Sequence, residues 1–337
     1  MLNAIWYALL AVLFAGYAIL DGFDLGVGIL SPYARTEEEK KIFVRAIGPH
    51  WDGNEVWLLT AGGAIFAAFP VVYATVFSAF YLAMMLVLFA LILRAVSVEF
   101  RSKVESPAWK AWCDRGFFTG SLLAAVLFGV AVGNLMRGIP LDESHVFTGG
   151  FFGLLNPFSI AVGVLSLFMF AMQGACYLAL RTEGDLQSRA GTWALRNWAA
   201  FVLLYCGVAI WSFFEARHLF LRFQSAFWPW IPAVLFLAAA VAIPLLLMRG
   251  KYGWAFSSSS AAIASLIAIL AAGAFPLLAP SRTDLAFSLT AYNASSTAYT
   301  LKWMLGLALV GVPIMLAYTA WVYKVFGGKV SAEAEGY

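Results

Sequence analysis

The sequence predicts an all-α fold, a polytopic membrane bundle of about nine transmembrane helices. Three observations carry this. Hydrophobic residues make up 63% of the 337 residues and charged residues only 12%, about half of the roughly 25% that a soluble domain carries. Nine stretches approach or exceed the ~20 mainly apolar residues a helix needs to cross the hydrocarbon. The basic residues also segregate: along that nine-helix path, 16 of the 21 Lys and Arg fall on one side and 5 on the other.

The first stretch, residues 3–31, is apolar from the start and lacks a basic leader, so no cleavable signal peptide is expected. Residues 51–70 and 72–98 follow, joined only by Phe69-Pro70-Val71, which implies a tight hairpin. Residues 116–136, 156–180, 194–214, 227–248, 254–279 and 299–323 complete the set. The serine run Ser257–Ser260 is expected to bond back within its helix. No Gly/Ser/Pro-rich linker divides the chain, so residues 1–337 read as a single integral-membrane domain. The sparse side holds Arg137, Arg217, Arg222, Arg282 and Lys302. Excess Lys and Arg mark the cytoplasmic side, which makes the N-terminus periplasmic and the C-terminus cytoplasmic.

Several function classes drop out. A net charge of +3 is too small to argue for nucleic acid. Cys113, Cys176 and Cys206 are widely spaced with no CxxC, so neither a zinc site nor a disulfide framework is supported. Cys176 and Cys206 lie in apolar runs and read as small buried thiols. Haem needs axial His, Met or Cys. His50, His145 and His218 form no opposed pair, and Met84, Met85, Met169 and Met172 read as packing, so no metal is inferred in this chain.

Carboxylates inside a membrane are costly and mark paired, hydrated or proton-carrying sites. Asp21 and Asp24 interrupt the first apolar run, and Asp52 and Glu55 open the second, just after His50. Counting helices brings all four to one depth on the cytoplasmic side, where the third stretch also ends with Arg94, Glu99 and Arg101. Each acidic pair is spaced i, i+3 and shares a helix face. The structural readings are a capping box made by Asp52 and Glu55 and an ion pair from Arg94 to Asp21 or Asp24. The functional reading is proton transfer through Asp52, Asp24, Asp21, Glu55 and His50, with Arg94, Glu99 and Arg101 as supporting ion pairs. It is favoured because four acids at one depth exceed what capping needs. Gly22 and Gly26 form a GxxxG step that admits a close helix neighbour. Trp51 and Trp57 flank the acidic motif, and Trp228 and Trp230 flank Pro229; both pairs read as interfacial belts.

Two segments are specific in combination: Asp21-Gly22-Phe23-Asp24-Leu25-Gly26-Val27-Gly28 and Pro49-His50-Trp51-Asp52-Gly53-Asn54-Glu55-Val56-Trp57. With Thr60-Ala61-Gly62-Gly63-Ala64, Gly133-Asn134-Leu135, Leu155-Asn156-Pro157-Phe158 and Gln173-Gly174-Ala175, the chain resembles subunit II of the cytochrome bd quinol oxidases. The resemblance implies a nine-helix, haem-free subunit in the bacterial plasma membrane. Its partner, subunit I, carries two haems b, one haem d and the quinol site. The complex oxidises quinol and reduces dioxygen to water with cytoplasmic protons, and the aspartate matching Asp52 is on the proton route. Some members have Gln where this chain has Glu55, which weakens the transfer of a role to that residue. A structural quinone in subunit II and small single-helix accessory subunits occur as further partners in such a family, alongside membrane lipid. The rival reading from the residues alone is a proton-coupled secondary transporter, and a third is a purely structural scaffold.

Overall fold

The computed structural model describes residues 1–330, and thirteen helices form most of them. They are α1 (Leu2–Leu30), α2 (Glu37–Ile47), α3 (Trp51–Ala68), α4 (Pro70–Ala79), α5 (Tyr81–Phe100), α6 (Pro107–Arg137) and α7 (Phe151–Leu154). Then come α8 (Pro157–Arg181), α9 (Gly184–Glu215), α10 (His218–Ser225), α11 (Trp230–Met248), α12 (Tyr252–Ala274) and α13 (Ala298–Val325). A two-stranded antiparallel ribbon, β1 (Leu277–Ala279) with β2 (Leu289–Thr290), lies between α12 and α13. The chain's end at Tyr337, on which the expected single-domain span closes, lies outside the described residues.

Eight helices among the described residues are long and apolar enough to cross a membrane: α1, α5, α6, α8, α9, α11, α12 and α13. The ninth expected stretch forms α3, 18 residues long, but Asp52, Asn54 and Glu55 make its first turns too polar to meet that standard. The expected single helix over 72–98 is two. It breaks at Phe80, whose ring turns into a small core with Ile139, Leu141 and Leu154. The stretch expected to run to 279 stops at Ala274, because Pro276 disfavours helix at the residue before it. Chain reversal between α3 and α5 holds, since Arg94 on α5 returns to Glu55 on α3.

The sequence reading missed α2. Its start carries a readable signal: Thr36 caps it, accepting from the Glu39 N–H at 3.2 Å, with Glu37, Glu38 and Glu39 in the first turn. Phe43, Ala46 and Ile47 are its buried face. The serine run behaves as expected, with Ser257 Oγ donating to Gly253 O at 3.1 Å and Ser260 Oγ to Phe256 O at 3.0 Å. Cys206 departs from expectation: it is exposed on α9, while Cys113 and Cys176 are buried.

Helices α1 and α8 form the packed axis. Gly26 and Gly174 bring their backbones into contact, and a Cβ at Gly26 would run into the Phe170 carbonyl and the Gly174 backbone. The GxxxG step is therefore an internal contact. Gly26→Leu forces two backbones apart, an overpacking cost of roughly 1–3 kcal/mol or more. The expected result is a reduced yield of assembled complex, read from the haem absorbance of the purified membrane fraction. Full assembly with unchanged activity would count against this packing.

Candidate functional site

The halves of α1, α3 and α5 that carry Asp21, Asp24, Glu55 and Arg94 meet where the four acids were expected, but the structure sorts them. Asp21 and Asp24 are fully buried on α1. Arg94 on α5 is 1% exposed and divides its guanidinium between two carboxylates. Nη1 lies 2.6 Å from Asp21 Oδ1, and Nη2 bonds Glu55 Oε1. A planar fork suits such double pairing in a way a lysine does not. Tyr17, one turn before Asp21, adds a buried hydroxyl beside it.

Asp24 has a different partner. Asn54 Nδ2 donates to Asp24 Oδ2 at 2.7 Å, and Asn54 Oδ1 accepts from the Tyr323 hydroxyl at 3.0 Å. Asn54 is 2% exposed. The Tyr323 ring, on α13, stacks on His50 at 4.2 Å with an interplanar angle of 5°. His50 is itself 3% exposed, and burial together with the nearby Arg181 charge pushes its imidazole down to about 4. It stays neutral near pH 7 and acts as a wall of the site.

Asp52 sits apart. It is exposed, within α3, and its Oδ1 accepts from the adjacent Gly53 N–H at 2.7 Å. The expected capping box does not form. The helix begins at Trp51 with His50 at the capping position, which offers no side-chain bond. Asp52 thus falls inside the first turn rather than before it. Glu55 points one turn further in, with its side chain 26% exposed.

Two of the three supporting charges belong elsewhere. Arg101 pairs with Asp114 at 2.6 Å and Glu37 at 2.9 Å, tying α2 to α5 and α6. Lys40 and Arg101 hold the Glu37 carboxyl down to about 2. Among the described residues, Glu99 pairs only with Lys103, at 3.9 Å on the surface. Trp57 is also not an interfacial ring: it is buried against Gly16, Leu13 and Tyr17. Trp228 and Trp230 are 47% and 49% exposed, as a belt requires.

Asn54, Tyr323 and Tyr17 were not singled out from sequence. Asn54 stands within the quoted motif and could have been found there; nothing local in the sequence marks Tyr323. Among the described residues no group of three His, Cys, Asp or Glu is arranged to hold a metal ion. The three histidines occupy separate settings: His50 on Tyr323, His145 with Nδ1 2.8 Å from Phe287 O, and His218 on α10.

The fold and this cluster define a class: a multi-pass helical membrane protein with ion-paired carboxylates buried between its spans. The comparisons give the family. A profile of cytochrome bd terminal oxidase subunit II matches residues 2–326. The cytochrome bd-I ubiquinol oxidase subunit 2 of Escherichia coli (strain K12) is 40% identical, over 99% of this chain and 96% of its own. The cytochrome bd ubiquinol oxidase subunit 2 of Bacillus subtilis (strain 168) is 36% identical, over 98% of this chain and 97% of its own. The fold is that of a chain in the bd oxidase from Geobacillus thermodenitrificans, with a TM-score of 0.77 at 18% identity, over 96% of this chain and 98% of that one. The chain belongs to the cytochrome bd terminal oxidase subunit II family. It is a multi-pass protein of the bacterial plasma membrane and a subunit of an oxidoreductase complex whose other part is a subunit I. Membership replaces the transporter reading.

Proposed function

We propose that this chain is the haem-free subunit of a quinol:dioxygen oxidoreductase, that it scaffolds a haem-bearing subunit I, and that it helps deliver cytoplasmic protons for reduction of O2 to water. Haems b and d, and the groups that touch quinol and oxygen, belong to the partner in this reading. The charge segregation supports a periplasmic N-terminus and a cytoplasmic C-terminus.

One observation carries the proton role, a gradient of burial along a ladder of carboxylates. Asp52 is exposed, Glu55 is 26% exposed, and Asp21 and Asp24 are fully buried. An exposed carboxylate exchanges protons with water, and the next acid along is one helical turn away. Arg94 stays charged and cannot relay, but it fixes Glu55 and Asp21 on either side of one guanidinium. Two carboxyl groups share that one positive charge. Uncompensated buried carboxylates are expensive, so a proton on the cluster completes its charge balance and is available to move on.

The scaffold role rests on what α3 and α13 leave bare. Gly53, Gly62 and Gly63 on α3, and Gly306 and Gly311 on α13, have open space beyond them. Leu59, Phe66, Trp303, Leu307 and Ile314 stand exposed on the same two helices. Glycine rows of this kind let a partner helix approach closely in lipid, beside the exposed end of the ladder.

Asp24→Asn tests the internal end. Its amide oxygen can still accept from Asn54, so the shape is kept and only the titratable site is lost. The expected result is a fully assembled complex whose oxygen consumption with excess quinol, normalised to haem, falls roughly tenfold or more. A wild-type rate would leave Asp24 a purely structural residue.

A further inference from the structure

At the end of the bundle opposite the acid cluster, a cavity of about 310 Å³ opens beside α10. It is lined by His218, Leu221, Arg222 and Ser225, one face of that short helix, and by Phe275 and Leu277. We propose that it is a binding site for the phosphate headgroup of an anionic membrane phospholipid.

Depth is the first argument. Helix α10 joins the ends of two spans, α9 and α11, and is followed by exposed Phe227, Trp228 and Trp230. Aromatic residues so placed mark the headgroup level of a bilayer. The cavity therefore opens where lipid phosphates lie.

Charge is the second. Arg222 is half-buried and has no ion-pair partner among the described residues. One amino group, Nη2, donates to Phe275 O at 3.0 Å, and the guanidinium carbon lies 5.2 Å from the Phe275 ring centre. These contacts fix the fork without neutralising it, and its other N–H groups remain free to donate. His218 Nε2 is buried with no hydrogen-bond partner among the described residues. No carboxylate lines the cavity. An uncompensated guanidinium fork beside an unused ring nitrogen selects a phosphate over a neutral group. Leu221, Phe275 and Leu277 provide an apolar floor for the adjoining glycerol and acyl carbons.

The test uses the purified, delipidated two-subunit complex, titrated with palmitoyl-oleoyl phosphatidylglycerol and followed by native mass spectrometry. The expected result is a tight lipid adduct, with affinity roughly tenfold weaker in Arg222→Gln and retained in Arg222→Lys. Because loss of the Phe275 contact could disturb folding, Ser225→Trp provides a second variant. It blocks the cavity mouth, leaves Arg222 in place, and should also abolish the adduct. Equal binding in wild type, Arg222→Gln and Ser225→Trp would overturn the proposal. So would equal binding of palmitoyl-oleoyl glycerol, which has the same chains and no phosphate. Displacement of the lipid by millimolar inorganic phosphate would overturn the lipid as occupant.

Discussion

Arg94→Met should nearly abolish the assembled complex. Arg94 is 1% exposed and is the only cation in contact with Asp21 and Glu55 among the described residues. Methionine fills much of the volume and carries no charge. Removing one partner of a buried ion pair costs about 3–5 kcal/mol, because the remaining charge is left uncompensated. Here two carboxyl groups lose their partner together. That is comparable with the whole stability of many domains, about 5–15 kcal/mol. The expected outcome is little or no haem-containing complex in membranes. Arg94→Lys retains the charge but not the two-pronged geometry, and should give an intermediate yield. Adding Asp21→Asn to Arg94→Met removes a stranded carboxylate and should recover part of the loss. A wild-type yield from Arg94→Met alone would show that the cluster does not hold α1, α3 and α5 together.

How much of this was legible in the sequence follows from what helix counting can and cannot measure. Depth along a helix is a matter of residues and rise, so the convergence of Asp21, Asp24, Glu55 and Arg94 was visible from their positions along the spans. Rotation about the helix axis is not. Asp52 and Glu55 share a spacing, yet one is exposed and the other reaches Arg94, because Asn54 turns inward to Asp24. Which face of α3 points inward is decided by Trp57 packing onto Gly16, a contact between separate helices. Tyr323 lies 269 residues from Asn54, and only the seating of α13 beside α3 unites them. Arg101 was assigned to the acid cluster by depth alone. It is taken instead by Glu37, on the short helix whose capping signal went unread. Glycine behaved more simply: the GxxxG step at Gly22 and Gly26 implied a close neighbour, and α8 is that neighbour.

The exposed end of the ladder is the place to test whether this subunit moves protons. Asp52 makes one side-chain bond, from the Gly53 N–H at 2.7 Å. An asparagine oxygen can accept the same bond, and an exposed site of this kind typically changes stability by no more than ~0.5 kcal/mol. Asp52→Asn therefore subtracts the titratable proton and almost nothing else. The measurement is oxygen consumption by the purified complex with excess quinol, normalised to haem, across roughly pH 6 to 8. If Asp52 collects protons for the buried carboxylates, turnover falls roughly tenfold or more in a complex that assembles normally, since the first step of the route is removed. Wild-type turnover across that pH range would contradict proton uptake at Asp52.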